Sequence, residues 1–217
     1  MKLKSFGCSF IFGTDLPDDG NGAAWATPSK LTWPAHLAKH LDYQYLCYAR
    51  PGIGNLSIAE RVLNQAGCNE HSLFVVGWTW IDRFDYTDEK DDWLTLRPTE
   101  EDRNASFYYK NLHSEYRDKL STLMCMRLVI DTLKEKNCPF IMTYMDDLIF
   151  DSKYHAPPAI VDLQNYVRPY MTRFEDRNFL EWSQSKGYAI SDTLHPLEEA
   201  HQAGFELIKS QFSIDKI

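Results

Sequence analysis

The chain has 217 residues and a net charge of −8, with 44% hydrophobic and 14% aromatic residues. This length fits one domain with a substantial core, and this composition excludes a mainly disordered chain. The acidic balance argues against a nucleic-acid partner, because such partners normally require a basic surface. We therefore expect one domain that spans residues 1–217 and no nucleic-acid partner.

The cysteines and the N-terminal segment predict where the protein resides. There are five cysteines, at positions 8, 47, 68, 125 and 138, and none of them forms a Cys-x-x-Cys pair. An odd number without such a pair favours reduced thiols over a disulfide framework. Residues 1–6 contain too few apolar side chains for a signal peptide, and no run approaches transmembrane length. The sequence predicts a cytoplasmic protein with no membrane partner.

Short apolar runs alternate with helical patterns along the chain. Strands are predicted at residues 3–6, 43–48, 72–76, 139–144 and 188–190. Helices are predicted after Thr32 and at residues 56–66, 105–136, 179–185 and 197–212. Residues 78–103 are polar and aromatic, and residues 145–177 are expected to be irregular because prolines interrupt them. The alternation predicts an α/β fold, with helices on both faces of a mainly parallel, five-stranded sheet.

Several polar or glycine residues follow directly after these predicted strands or lie in the loops that the strands enter. Ligands of parallel sheets bind at the carboxyl ends of the strands. We therefore expect these residues to gather on one edge of the sheet: Ser9, Gly54, Thr79, Asp146 and Asp192.

The first and last of these predicted strands carry the groups of a nucleophilic site. A serine hydroxyl attacks only when a base takes its proton, and a carboxylate orients that base. Ser9 supplies the hydroxyl, His195 the base, and Asp192 the carboxylate three residues before it. Two alternatives stay open at this stage. Ser9, Asp192 and His195 could be helix-capping residues, and Cys8 could be the nucleophile in place of Ser9.

Four short motifs resemble those of the SGNH (GDSL-type) hydrolase family, from the first strand to the last helix. They are Phe6-Gly7-Cys8-Ser9-Phe10, Gly52-Ile53-Gly54-Asn55, Gly77-Trp78-Thr79-Trp80 and Asp192-x-x-His195. The third motif departs from the family pattern, because Thr79 stands where the family has asparagine. The variant Gly-Cys-Ser-Phe and Gly-Trp-Thr forms look like a short subgroup that tailed phages often encode.

The resemblance implies a three-layer, flavodoxin-like α/β/α domain that transfers acyl groups without a cofactor. Ser9 would attack an ester carbonyl, His195 would take its proton, and Asp192 would orient His195. The oxyanion would be held by the backbone N–H groups of Ser9 and Gly54, with the Thr79 hydroxyl in place of the missing amide. The alternative is a weakly active or inactive SGNH-fold protein with a binding or structural role, because Thr79 replaces that asparagine.

Aromatic and basic residues after the third strand suggest the substrate. Trp78 and Trp80 would flank the catalytic edge, where aromatic rings suit sugars, although most such rings belong to cores. Arg83 could bind a substrate carboxylate or form an ion pair with a neighbouring acid such as Asp82. The expected partner is a small-molecule or glycan ester, with an O-acetylated carbohydrate as the preferred choice, and the sequence does not set the oligomeric state.

Two further patterns are weighed as metal sites. Tyr144-Met145-Asp146-Asp147 matches the tetrad of reverse-transcriptase hairpins, but four residues recur by chance and the chain is short for a polymerase. His195 and His201 are six residues apart, which is wider than the usual spacing of zinc ligands. The sequence therefore predicts no metal.

Overall fold

The computed structural model describes residues 1–20, 27–67 and 71–212. The strands within these ranges are β1 (Lys2–Gly7), β2 (Gln44–Cys47), β3 (Ser72–Trp78), β4 (Phe84–Thr87), β5 (Trp93–Leu96) and β6 (Phe140–Tyr144). The α-helices are α1 (Ser9–Phe12), α2 (Trp33–His40), α3 (Asn55–Gln65), α4 (Arg103–Asn111), α5 (Glu115–Glu135), α6 (Pro158–Val167), α7 (Phe179–Ser185) and α8 (Glu198–Gln211). Two short 3-10 helices cover Asp147–Ile149 and Arg168–Tyr170.

The central sheet is parallel and has the strand order β2-β1-β3-β6. Every residue of β3 is buried, as expected for a strand that is covered on both faces. The register pairs Gly7 with Gly77 and Trp78 with Tyr144. The carboxyl ends of β1, β3 and β6 therefore meet at one edge of the sheet, and the predicted α/β fold is confirmed.

Alternate side chains of the strands enter two separate cores, because successive residues of a strand point to opposite faces. Phe74 and Val76 pack on one face with α3, α5 and α6. Leu73 and Val75 pack on the other face with α2, α7 and α8. The three layers of the domain follow from this alternation.

The predicted fifth strand at residues 188–190 is wrong, and the central sheet of the described residues has four strands. Ile190 forms only an isolated antiparallel bridge to Pro196. The edge of β6 is occupied instead by the segment at Met171, which bridges Met142. The Thr172 amide donates to the Met142 carbonyl at 2.7 Å, so this part of the β6 edge is not open to another strand.

Two segments without predicted elements contain regular structure. The polar and aromatic stretch at 78–103 contains the antiparallel hairpin of β4 and β5. The stretch at 145–177 contains α6, which follows Pro157 and begins at Pro158. Proline suits the first turn of a helix, because its N–H would have no partner there. The prolines that suggested irregular chain therefore start a helix.

The single helix predicted at 105–136 is two helices. The first, α4, ends at Asn111, and α5 begins after Ser114. The Ser114 hydroxyl accepts the Arg117 amide at 3.3 Å, which is the contact of a helix-capping serine.

Close packing at the ends of β1 and β3 places α1 directly on the sheet edge. Gly7 has φ 154°, and a Cβ there would lie 2.6 Å from Cγ1 of Ile11 and 2.8 Å from the Gly77 carbonyl oxygen. A Cβ at Gly77 would also lie 2.6 Å from Cγ1 of Ile11. Two glycines that face each other thus let Ile11 approach the strands, which fixes Ser9 at the start of α1.

Cys8, Cys47, Cys125 and Cys138 are free thiols. The fifth cysteine, Cys68, lies outside the described residues. Among the helices that the structure describes, none has both the length and the apolar character needed to cross a bilayer.

Candidate active site

The structure brings Ser9 and His195 into direct contact although 186 positions separate them. The Ser9 Oγ atom lies 2.8 Å from Nε2 of His195. Ser9 is the first residue of α1 and is 6% exposed, so its hydroxyl is largely withdrawn from water. Cys8, the other candidate nucleophile, is buried in the core that includes α2 and α8. The predicted pairing of serine and imidazole is therefore present at the level of geometry.

The carboxylate that meets the other nitrogen of His195 belongs to Asp15. Its Oδ2 atom lies 2.8 Å from Nδ1 of His195. The Asp192 side chain is exposed and forms no hydrogen bond or ion pair with the described part of the chain. The expectation that Asp192 orients His195 is thus corrected by the geometry, which gives that position to Asp15.

A tight turn after α1 carries Asp15 back to the nucleophile. Gly13 ends the helix in the left-handed conformation, with φ 86°, and its amide donates to the Ser9 carbonyl at 2.8 Å. Asp15 is also left-handed, with φ 70°, and its amide donates to Oδ2 of Asp19 at 2.8 Å. Aspartate is one of the few residues other than glycine that tolerate this conformation. Gly13 and Asp15, which follow Ser9 closely in the sequence, were the available signal for this turn.

The turn before His195 explains why Asp192 stays outside. The Ser191 amide donates to the His195 carbonyl at 2.9 Å, and the Leu194 amide donates to the Ser191 carbonyl at 3.0 Å. This closed turn leaves Asp192 on its exposed side and directs the hydroxyls of Ser191 and Thr193 toward Asp15.

Three groups converge on the same oxygen of Asp15. Ser191 Oγ donates to Oδ2 at 2.6 Å, Thr193 Oγ1 also donates to it, and Nδ1 of His195 lies 2.8 Å away. Because an ionised carboxylate only accepts, this arrangement favours the tautomer with its proton on Nδ1. Nε2 is then free to accept the Ser9 proton. Burial raises the pKa of Asp15, but the hydrogen bonds from Ser191, Thr193 and His195 outweigh it and lower that pKa.

Two of the three predicted oxyanion donors are not available to a substrate. The Gly54 amide donates to Oδ1 of Asp85 at 2.8 Å. The Thr79 side chain is fully buried; its hydroxyl has no hydrogen-bond partner among the described residues and does not line the cavity at Ser9. The Ser9 amide, at the start of α1, has no acceptor among the described residues. The expectations for Gly54 and Thr79 are therefore corrected, and the Ser9 N–H is the predicted donor that stays free.

Asn55 joins the start of α3 to the loop after β3, a role that was not predicted from the sequence. Its Oδ1 atom accepts the Thr79 amide at 2.8 Å, and its Nδ2 atom donates to the Thr79 carbonyl at 3.1 Å. Nδ2 also lies 3.2 Å from Oγ1 of Thr122 on α5. Asn55 follows Gly54 in the second motif, so its place in that motif was the available signal.

A cavity of about 330 Å³ opens beside Ser9 and His195. Trp80 and Arg83 line it, as expected from the sequence. Trp78 does not line it, because this side chain is fully buried in the core formed with α3 and α5. The predicted substrate contact of Trp78 is therefore corrected. Trp78 is the last residue of β3 and packs in the core, whereas Trp80 lies in the loop after β3 and lines the cavity.

The residues weighed as metal ligands have other partners. Asp146 is buried, and its two oxygens accept the amides of Ile81 and Leu148, both at 3.0 Å. His201 is also buried, and its Nδ1 atom accepts the Trp33 amide at 3.2 Å. In the described ranges, no group of three or more His, Cys, Asp or Glu side chains is placed to hold a metal ion.

Comparison with known proteins supplies a fold. No family model and no curated protein sequence matches this chain. Among solved structures it is similar to TesA, with a TM-score of 0.57, 12% identity and 99% of both chains covered. It is also similar to a lipolytic G-D-S-L family protein from Veillonella parvula, with a TM-score of 0.51, 10% identity and 98% of both chains covered.

A third similar structure is an active-site mutant of a family two carbohydrate esterase from Clostridium thermocellum. Its TM-score is 0.53 at 12% identity, over 97% of this chain and 62% of that one. The parallel sheet, the helix layers and these likenesses define the fold: it is the three-layer α/β/α fold of GDSL/SGNH lipolytic proteins and esterases.

Proposed function

We propose that the protein is a serine esterase in which Ser9 is the nucleophile, His195 the general base and Asp15 the orienting carboxylate. One observation carries the proposal. His195 bridges Ser9 and Asp15, with 2.8 Å on each side of the imidazole ring. A nucleophile held by a base, with that base held by a third group, is the arrangement that activates a serine hydroxyl.

The reaction divides into two acyl transfers. Nε2 of His195 takes the Ser9 proton as Oγ bonds to the ester carbonyl carbon, and the carbonyl oxygen becomes an oxyanion. The tetrahedral intermediate collapses, the ester C–O bond breaks, and His195 gives its proton to the leaving alcohol. Water then attacks the acyl-enzyme with His195 as base, which releases the acid and restores Ser9. Asp15 stabilises the imidazolium form of His195 in both halves.

Oxyanion stabilisation is the weaker part of the site. The Ser9 N–H is the free donor among the three expected, and loss of one such donor costs roughly a factor of 10²–10³ in turnover. We therefore expect kcat to be low relative to esterases that have three donors.

The substrate we propose is an O-acylated carbohydrate, with an acetyl ester as the first choice. Phe10, Trp80 and Leu180 give the cavity apolar walls beside Ser9. Such surfaces pack against the C–H faces of sugar rings, while a few polar groups fix their orientation. The likeness to a carbohydrate esterase supports the same choice at the level of the fold.

A fluorophosphonate probe and p-nitrophenyl acetate test the proposal together. Intact-mass measurement is expected to show one phosphonyl adduct on the wild type and none on Ser9→Ala. Hydrolysis of p-nitrophenyl acetate is expected to fall to the background rate in Ser9→Ala. Cys8→Ala serves as the matched control, because it removes the neighbouring buried nucleophile and is expected to retain labelling. Undiminished hydrolysis by Ser9→Ala would overturn the proposal.

A second candidate, a binding protein that keeps the esterase fold, is favoured by one observation. The Gly54 N–H that the resemblance assigns to the oxyanion is held by Asp85. For this candidate, Ser9→Ala would retain glycan binding, and the wild type would show neither phosphonyl adduct nor hydrolysis.

The cytoplasmic location and the short phage-type subgroup stay predictions from the sequence. The subgroup depends on the Gly7-Cys8-Ser9-Phe10 and Gly77-Trp78-Thr79 motifs alone.

A further inference from the structure

We propose that Arg83 forms a carboxylate subsite in the cavity of Ser9, so that the substrate is an ester of an acidic sugar. The reaction in this proposal rests on the proposed esterase function. The binding of an acidic sugar does not, because it can be measured without turnover.

Neutral groups hold the Arg83 guanidinium in place. Its Nη1 atom donates to the Ile53 carbonyl at 3.1 Å. Its Cζ atom lies 4.8 Å from the centroid of the Trp80 ring, which is the distance of a cation–π contact. One hydrogen bond and one ring face position the group and leave its other N–H groups for a ligand, since arginine carries five.

The ion pair that the sequence suggested for Arg83 does not form within the described ranges. None of the described carboxylates lies within 4.0 Å of its guanidinium nitrogens. Asp85 is committed to the amides of Gly54 and Ser57 instead. Arg83 therefore keeps its attraction for an incoming anion.

The second arginine of the cavity shows the contrast. Arg97 lines the same space, but its Nε atom donates to Oε1 of Glu100 at 2.8 Å. Arg97 is therefore in a direct ion pair, whereas Arg83 forms no such pair with the described residues. The cation available to a substrate in this cavity is thus Arg83.

Size and shape favour a monosaccharide unit that bears a carboxylate. The cavity of about 330 Å³ lies at the small end of ligand pockets. The planar guanidinium matches the two oxygens of a carboxylate better than it matches any neutral sugar group. A ring packed against Phe10 and Leu180 would then present its ester to Ser9 and its acid group to Arg83.

Asp82 lines the same cavity and provides an independent test. Burial, followed by the charge of Asp146, raises the pKa of Asp82, and the charge of Arg83 opposes that rise. An ionised Asp82 repels an incoming carboxylate and weakens the electrostatic attraction between that carboxylate and Arg83. Removal of this charge is therefore expected to strengthen the binding of an acidic sugar.

Binding of D-glucuronate and D-glucose to the folded protein, measured by calorimetry and ligand-observed NMR, tests the subsite. Glucuronate is expected to bind the wild type at least about tenfold more tightly than glucose, a gap typical of a charge-assisted contact. Arg83→Gln is expected to remove that preference, and Arg83→Lys to restore part of it. The matched control is Arg103→Gln, which makes the same change at an exposed arginine of α4.

If Arg83→Gln does not fold, Asp82→Asn tests the subsite in its place, and it is expected to tighten the binding of glucuronate severalfold more than the binding of glucose. Equal affinities for the two sugars, or a preference that survives Arg83→Gln, would overturn the subsite and leave the esterase proposal standing. Ester hydrolysis that persists in Ser9→Ala would overturn the esterase proposal and leave the affinities unchanged.

Discussion

Oδ2 of Asp15 lies 2.8 Å from Nδ1 of His195, although Asp192 stands only three residues before that histidine. The same oxygen accepts the hydroxyls of Ser191 and Thr193, so the turn that carries His195 is fastened to the loop that follows Ser9. Nucleophile and carboxylate thus come from one short segment, and the base comes from the other end of the chain. The usual Asp-x-x-His spacing supplies the histidine but not its carboxylate.

Asp15→Asn is expected to lower kcat for p-nitrophenyl acetate by roughly 10³–10⁴, as removal of an orienting carboxylate leaves the histidine in the wrong tautomer. KM is expected to change little, because Asp15 is not among the residues that line the cavity. Steady-state kinetics of the purified variant measure both constants.

Asp192→Asn is the matched control for that prediction. The Asp192 side chain is exposed and has no partner in the described ranges, so kcat is expected to stay within about twofold of the wild type, as for surface changes away from a site. A large loss in Asp192→Asn together with a small one in Asp15→Asn would contradict the assignment of the carboxylate to Asp15.

Thr79→Val tests whether the buried hydroxyl takes part in the reaction. The Thr79 hydroxyl is fully buried and has no partner in the part of the chain that the structure describes. Its removal is expected to raise the free energy of unfolding by about 1 kcal/mol while activity persists. Urea denaturation and ester hydrolysis provide the two readouts.

Thr122→Val makes the same change at a hydroxyl that has a partner, Nδ2 of Asn55 at 3.2 Å. It is expected to destabilise the fold by about 1 kcal/mol, because the buried Asn55 amide loses one of its hydrogen-bond partners. If Thr79→Val loses activity by a hundredfold or more, the Thr79 hydroxyl takes part in the oxyanion hole, contrary to the prediction.

Asp85→Ala is expected to lower the free energy of unfolding by about 2–4 kcal/mol, because buried donors lose their acceptor. The Asp85 carboxylate accepts the amides of Gly54 and Ser57 and the Thr95 hydroxyl, at 2.8, 2.8 and 2.6 Å. It thereby joins the start of α3 to the β4–β5 hairpin. Chemical denaturation measures the loss.

Asp92→Ala, in the same hairpin, is the control for Asp85→Ala. The Asp92 side chain is exposed and has no hydrogen bond in the described part of the chain. Its removal is expected to change stability by less than about 0.5 kcal/mol. Equal effects of the two substitutions would show that the Asp85 contacts contribute nothing particular to stability.

His201 makes the fold sensitive to acid. Burial, followed by the charges of His36 and His195, lowers the pKa of His201 to about 3. Between that pH and about 6.5 the unfolded state binds a proton that the folded state refuses, so stability falls by up to about 1.4 kcal/mol for each pH unit lost. Urea denaturation between pH 4 and 7 measures the slope.

His201→Asn keeps an acceptor for the Trp33 amide and removes the titration, so its stability is expected to depend less steeply on pH in this range. NMR titration of the wild type gives a direct check. A His201 ring that takes up a proton near pH 6.5 while the protein stays folded would contradict the lowered pKa.

Local patterns predicted most of the regular elements because burial repeats with the period of each structure. The all-apolar run of β3 and the pattern of α5 are examples. Elements that the local pattern missed depend on partners elsewhere. The β4–β5 hairpin is joined to the start of α3 by Asp85, and the β6 edge is filled by the segment at Met171 rather than by a fifth strand.

At the site, the sequence by itself determined that Ser9 follows β1 and therefore lies at the carboxyl edge of the sheet, whereas His195 directly follows no strand of the described sheet and is brought there by tertiary contacts. A parallel sheet places at this edge any residue that directly follows one of its strands. Only the tertiary structure decided which side chains face one another there. Asp15 rather than Asp192 meets His195 because two left-handed turns aim it back toward Ser9. Backbone dihedrals and contacts between distant segments decide which carboxylate contacts His195, and neither can be predicted from the spacing of a motif.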